Sequence, residues 1–155
     1  MTSSVPTSTR SPIRVRRRVA DAPRHSRGIL DTSVVIDLDV LDASQLPVEV
    51  AVSTLTMAEL AAGPHATNDP DERARRQDRL QRSEAAFDPL PFDAEAARAY
   101  GRVYAAVASR GRKARGARAV DLLIAATACA SGLPLYTRNG ADFEALEDLL
   151  EVVVV

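Results

Sequence analysis

Gly28-Ile-Leu-Asp-Thr-Ser-Val-Val-Ile36 decides the fold class. Its first four residues are a short apolar run closed by a carboxylate, the pattern of a strand buried on both faces. Residues 33–41 then take on helical character, so Asp31 falls at the carboxyl end of the strand. The same alternation recurs outward. Residues 48–54 are rich in β-branched side chains and predict a second strand, and residues 56–62 open a helix that stops at Gly63-Pro64. Residues 69–86, crowded with Arg, Asp, Glu and Gln, predict a solvated helix. Pro89 and Pro91 leave room only for a short edge strand about Leu90. From Asp93 a helix places Ala96, Tyr100, Val103 and Val107 on one face and ends near Gly111.

A basic linker, residues 110–118, leads into an apolar helix beginning at Asp121. Residues 133–137 form the next strand, Asn139-Gly140 a turn, Asp142 or Phe143 the start of a short helix, and residues 151–155 a last strand. Strands alternating with helices imply an α/β fold, with a parallel sheet covered on both faces.

A chain of 155 residues with 46% hydrophobic content suits one domain. No run approaches the roughly 18 apolar residues of a membrane span, and the N-terminus lacks the apolar core of a secretory signal, so the chain reads as cytoplasmic. Cys129, the single cysteine, lies within the apolar helix as a small buried thiol. His25 and His65 are the only histidines, too few and too scattered for a histidine-rich zinc site or a serine-histidine triad.

The net charge of −1 conceals a split. Residues 1–27 hold seven arginines and one acid, Asp21, a charge of +6; the other 128 residues hold 13 basic and 20 acidic side chains, a charge of −7. Ser, Thr, Pro and Arg dominate the first 27 residues without apolar periodicity, which predicts a disordered arm.

Ligands of an open parallel sheet bind beyond the carboxyl ends of its strands, where strand order reverses. Four acids fall at that rim: Asp31 after the first strand, Glu59 in the first turn of the helix after the second, Asp121 at the head of its helix, and Asp142 after residues 133–137. Four converging carboxylates repel one another and recruit cations, and oxygen-only ligands suit magnesium or manganese. Each acid also has a local reading. Thr56-x-x-Glu59 fits a capping box, Asp121 suits a helix dipole, and Asp142 could cap the helix at Phe143. Asp31 closes an apolar strand where no cap of its own is expected. The joint placement of the four favours a metal site.

These residues, in this order, resemble the PIN-domain ribonucleases, and most closely the VapC-type toxins of bacterial toxin-antitoxin pairs. The matching stretches are residues 29–36 (ILDTSVVI), 53–60 (STLTMAEL), 121–128 (DLLIAATA) and 135–143 (LYTRNGADF), which with their spacing span residues 28–155. The resemblance implies a PIN-like three-layer sandwich with a mostly parallel central sheet. Asp31, Glu59, Asp121 and Asp142 match the family's acidic quartet, Thr32 or Ser33 its polar residue after the first aspartate, and Thr137 and Asn139 its polar pair near the last. The implied activity is magnesium-dependent hydrolysis of RNA phosphodiesters, with manganese as an alternative ion. The implied partners are a second copy of the chain and a cognate antitoxin seated in an apolar groove, for which the helix carrying Met57 and Leu60 is a candidate edge. The arm has no counterpart in the family pattern.

Substrate must approach a negative cleft, and Arg110, Arg112, Lys113, Arg115 and Arg118 immediately precede Asp121 as candidates to hold its phosphates. Gly111 and Gly116 have the separation of a phosphate loop, but Ala117-Arg118 replaces its Lys-Ser/Thr and no strand precedes it, which excludes a nucleoside-triphosphate loop. Three Phe and three Tyr offer no interleaved basic-aromatic pattern, so structured RNA fits better than a long single strand. Two other functions compete. A magnesium-dependent α/β phosphatase would want a second acid two residues after Asp31, where Ser33 stands. A non-catalytic module binding RNA or protein would not need four acids.

Overall fold

The computed structural model describes residues 24–155. Four short strands, β1 (Arg27–Leu30), β2 (Glu49–Ala51), β3 (Leu135–Thr137) and β4 (Val152–Val154), make one sheet among these residues, in the order β2-β1-β3-β4. Every pairing is parallel, with Ile29 facing both Ala51 and Leu135, and Leu135 also facing Val152. The order reverses about β1, so the crevice between the carboxyl ends of β1 and β3 is where such a sheet receives ligands.

Alternation along each strand builds two cores. Ile29 and Leu135 point to one face and pack with α4 (Ala94–Ser109) and α5 (Ala117–Ser131); Leu30 and Tyr136 point to the other and pack with α1 (Thr32–Ile36), α2 (Thr54–Ala62) and α3 (Pro70–Ala86). The result is the three-layer sandwich expected. On α4 the buried face is Ala96, Ala99, Val103 and Val107, with Tyr100 half-buried beside it. α5 buries Leu122 and an unbroken run from Ile124 to Ala128, and it ends where Gly132 takes a left-handed conformation (φ 64) that closes the last carbonyls. No described helix is long and apolar enough to cross a membrane.

Several boundaries differ from the sequence reading. α1 stops at Ile36 rather than running to residue 41, since Val, Ile and two aspartates propagate a helix poorly and Asp37 and Asp39 oppose its dipole. The second strand is confined to Glu49–Ala51, and the expected edge segment at Leu90 is a single parallel bridge to Ser53. α2 begins two residues earlier than expected because Ser53 caps it, its Oγ accepting from Thr56 N at 3.0 Å. α5 begins at Ala117, so Asp121 lies in its second turn and not at its head; Gly116, with φ 63, turns the chain and the helix-favouring Ala-Arg-Ala follows.

The arm expected over residues 1–27 lies outside the described residues as far as position 23. Residues 24–27 belong to the fold: the Arg24 guanidinium donates to the carbonyls of Leu46, Ala43 and Pro47, His25 Nδ1 lies 2.7 Å from the Tyr136 hydroxyl, and Arg27 opens β1.

Candidate active site

Asp31 follows β1 directly and is 3% exposed. Its Oδ1 accepts from Thr32 N at 2.9 Å, and its Oδ2 accepts from both Ser33 Oγ and Thr137 Oγ1 at 2.8 Å. The carboxylate therefore does cap a helix, α1, contrary to the expectation that no cap was needed there. Three donors satisfy a buried charge and fix its plane at once. Ser33 and Thr137 are fixed in turn: Arg138 N donates to Ser33 Oγ at 3.1 Å, and Asn139 N donates to Thr137 Oγ1 at 3.0 Å. The strand ends of β1 and β3 are thus bonded through side chains as well as through the sheet. Asn139 contributes its main-chain N–H, and its side chain caps nothing in the 3-10 helix that follows, Gly140–Leu146.

Glu59 comes from α2. With Ser53 as the cap, Glu59 is too far along the helix to close a capping box, so that local reading is removed. Its carboxylate instead accepts from Thr32 Oγ1. Burial raises its pKa, the Thr32 hydrogen bond opposes that rise, and the Asp31 charge adds to it.

Asp121 projects from α5. Its pKa is pushed up to about 7, first by burial and then by the charges of Asp31, Glu59 and Asp142, with Arg118 working in the opposite direction. Asp31, Glu59, Asp121 and Asp142 thus share one electrostatic neighbourhood. Asp142, in the 3-10 helix after β3, does not cap it; Asp142 Oδ1 lies 3.2 Å from Nη2 of Arg118.

The five basic candidates divide. Arg112 donates to Ala141 O at 3.0 Å and pairs with Glu144 at 3.2 Å, tying the loop before α5 to the 3-10 helix. Arg118 reaches into the acid cluster. Arg110, Lys113 and Arg115 are exposed. Arg138, between Thr137 and Asn139, is a further basic residue that no local pattern singles out; its guanidinium pairs with Asp37 at 3.4 Å, tying the segment after β3 to the end of α1.

Among the described residues, no three His, Cys, Asp or Glu side chains form a ready-made metal cage. The donor set nonetheless suits a hard divalent cation. It is all carboxylate oxygen, burial and three neighbouring carboxylates leave Asp121 prone to protonation, and magnesium is commonly held by one or two carboxylates with waters completing its shell.

Met57 and Leu60 line neither of the two grooves described on the surface. Leu60 is core and Met57 packs against it. One of the two grooves lies between α1 and α3, lined by Val35, Leu38, Ala86 and Phe87 with Asp39, Arg79 and Arg82.

Comparison with known proteins agrees with this architecture. The family model described as "PIN domain" matches residues 28–149. Ribonuclease VapC5 of Mycobacterium tuberculosis is 38% identical over 131 residues, spanning 83% of this chain and 93% of that protein. Among solved structures, VapBC-5 of Mycobacterium tuberculosis, a member of the VapBC family of toxin-antitoxin systems, superposes with a TM-score of 0.74 at 39% identity, covering 84% of this chain and 99% of the matched one. FitAcB from Neisseria gonorrhoeae gives a TM-score of 0.60 at 27% identity, over 81% of this chain and 95% of its own. With the strand order, the acid quartet and a family match across most of its length, this chain belongs to the PIN-domain family, in its VapC-type branch.

Proposed function

We propose that the chain is a metal-dependent endoribonuclease, the toxin of a toxin-antitoxin pair, and that Asp31, Glu59, Asp121 and Asp142 form its catalytic centre. The observation that carries this reading is the pairing of a rigidly held, buried Asp31 with an Asp121 lifted to about 7, first by burial and then by three other carboxylates. Structural ion networks usually balance charge; among the described residues, this cluster sets four carboxylates against the single guanidinium of Arg118. A bound magnesium or manganese ion would supply an activated water and stabilise the leaving oxygen. The chain's own groups do the rest. Thr32 positions Glu59, while Ser33 and Thr137 orient Asp31. Arg110, Lys113 and Arg115 offer free positive charge along the approach for phosphates flanking the cleaved bond. The basic rim and the scarcity of aromatics favour structured RNA recognised by backbone and shape.

The partners we assign are a second copy of the chain and a cognate antitoxin. The antitoxin is supported by the VapBC name of the similar structure, and the α1/α3 groove, with the exposed Ile36 and Val40 nearby, is the apolar surface suited to it. The phosphatase alternative loses ground because both oxygens of Asp31 are already engaged by donors and its side chain is buried, which makes it a poor nucleophile.

The test is incubation of purified, antitoxin-free protein with total cellular RNA, with and without magnesium, beside Asp121→Asn. Discrete products that require both the metal and Asp121 are expected. A folded, metal-bound protein that cuts nothing would shift the assignment to a binding module.

A further inference from the structure

Arg118 is the cation that the described residues place within the acid cluster. Its Nη2 is 3.2 Å from Asp142 Oδ1, and it stands three residues before Asp121 on α5, on the same side of the helix. Its side chain is 30% exposed and that of Asp142 is 38% exposed, so the pair is partly shielded yet free to separate. Arg112, on the same basic stretch, is committed elsewhere, to Glu144 and the Ala141 carbonyl. A guanidinium does not lose its proton in a protein, so Arg118 can leave the cluster only by moving its side chain.

We infer that Arg118 is an internal counter-cation that competes with the divalent ion for Asp142: without metal it neutralises the cleft, and metal entry requires it to release the Asp142 oxygen and withdraw. This rests on the metal-dependent reading given above. Two physical effects oppose simultaneous occupancy. An oxygen lone pair already taken by a charged N–H donor is a poorer ligand for an ion that demands near-ideal octahedral geometry. A single positive charge about 5 Å from a double one, screened by water, also weakens binding by roughly tenfold. Arg118 is thus a positioning residue that sets the ambient metal concentration at which the site fills.

The experiment is a titration of the full chain with Mn2+, followed by calorimetry and electron paramagnetic resonance at fixed pH and salt, for wild type, R118Q, R118K and R112Q. R118Q should bind Mn2+ about tenfold more tightly than wild type, while R118K, which keeps the charge, and R112Q, which lies outside the cluster, stay within about threefold of it. R118Q binding no tighter than wild type overturns the inference, and so does R118K tightening as much as R118Q, since charge is then not the cause. Wild type that binds no Mn2+ overturns the metal-dependent reading itself. A second measurement needs no variant: the Arg118 Nε–H resonance should shift and exchange faster on saturation with Mg2+, and an unmoved resonance counts against release.

Discussion

The Thr137 hydroxyl spends its single proton on Asp31 and accepts from Asn139 N, so no other side chain of its size replaces it without loss. Thr137→Val keeps the volume but leaves the buried carboxylate one donor short, at an expected cost of about 1–3 kcal/mol in urea denaturation, with Thr137→Ser close to wild type. RNA cleavage should fall alongside in the valine variant only. Asp121 makes a second prediction. An unfolded aspartate ionises near 3.8, whereas in the fold the group holds its proton to about 7. Between those values the folded chain binds a proton that the unfolded chain has lost, so stability contributed by this group is fully present below the lower value and lost as pH rises to the upper one. Glu59, also shifted upward, adds to the same trend. Melting temperature in chelator should therefore fall across that window more steeply for wild type than for Asp121→Asn. Equal slopes would show that Asp121 is not shifted upward in the fold. All four acids were legible because each closes or follows a recognisable run. Ser33 and Thr137 were indicated by the family resemblance alone; their bonds to Asp31 were not legible, because Thr137 is 106 residues away and a hydroxyl's partner leaves no mark on local pattern.

At the scale of elements, caps decide where the site's side chains point. Ser53 is fully buried and holds the first turn of α2 through Thr56 N, so Ser53→Ala should cost about 1–2 kcal/mol and, by loosening the helix that carries Glu59, also reduce cleavage. Gly132 ends α5 at φ 64 with open space around it, so Gly132→Ala should cost about 1 kcal/mol from backbone conformation alone while leaving activity intact. Thermal melts of the two variants, set against their cleavage rates, separate site positioning from stability. The helices were readable from their apolar faces, but their starts were not. Ser53, Thr54 and Thr56 are all competent caps within four residues, and the arginines before Asp121 look like a loop until Gly116 is seen to turn the chain.

For the whole molecule, Gly28 leaves the space on one face of the sheet that the Tyr136 ring occupies. A methyl group there would lie 2.6 Å from the Tyr136 ring, which is itself bonded to His25 and packed into the second core. Gly28→Ala should cost about 1–3 kcal/mol by overpacking, measurable as a lower denaturation midpoint at unchanged slope. The parallel α/β class followed from alternating strand and helix patterns. The order β2-β1-β3-β4 did not, because which strands become neighbours depends on how α2 to α5 divide between the faces. That order also bears on synthesis. The central strand β1 and the acid that follows it are made more than a hundred residues before β3, which ends in Thr137 and has Asn139 and Asp142 beyond it. A nascent or prematurely terminated chain lacking β3 has no crevice to bring its early and late acids together. A centre built on this topology stays unassembled on a growing chain until β3 has joined β1.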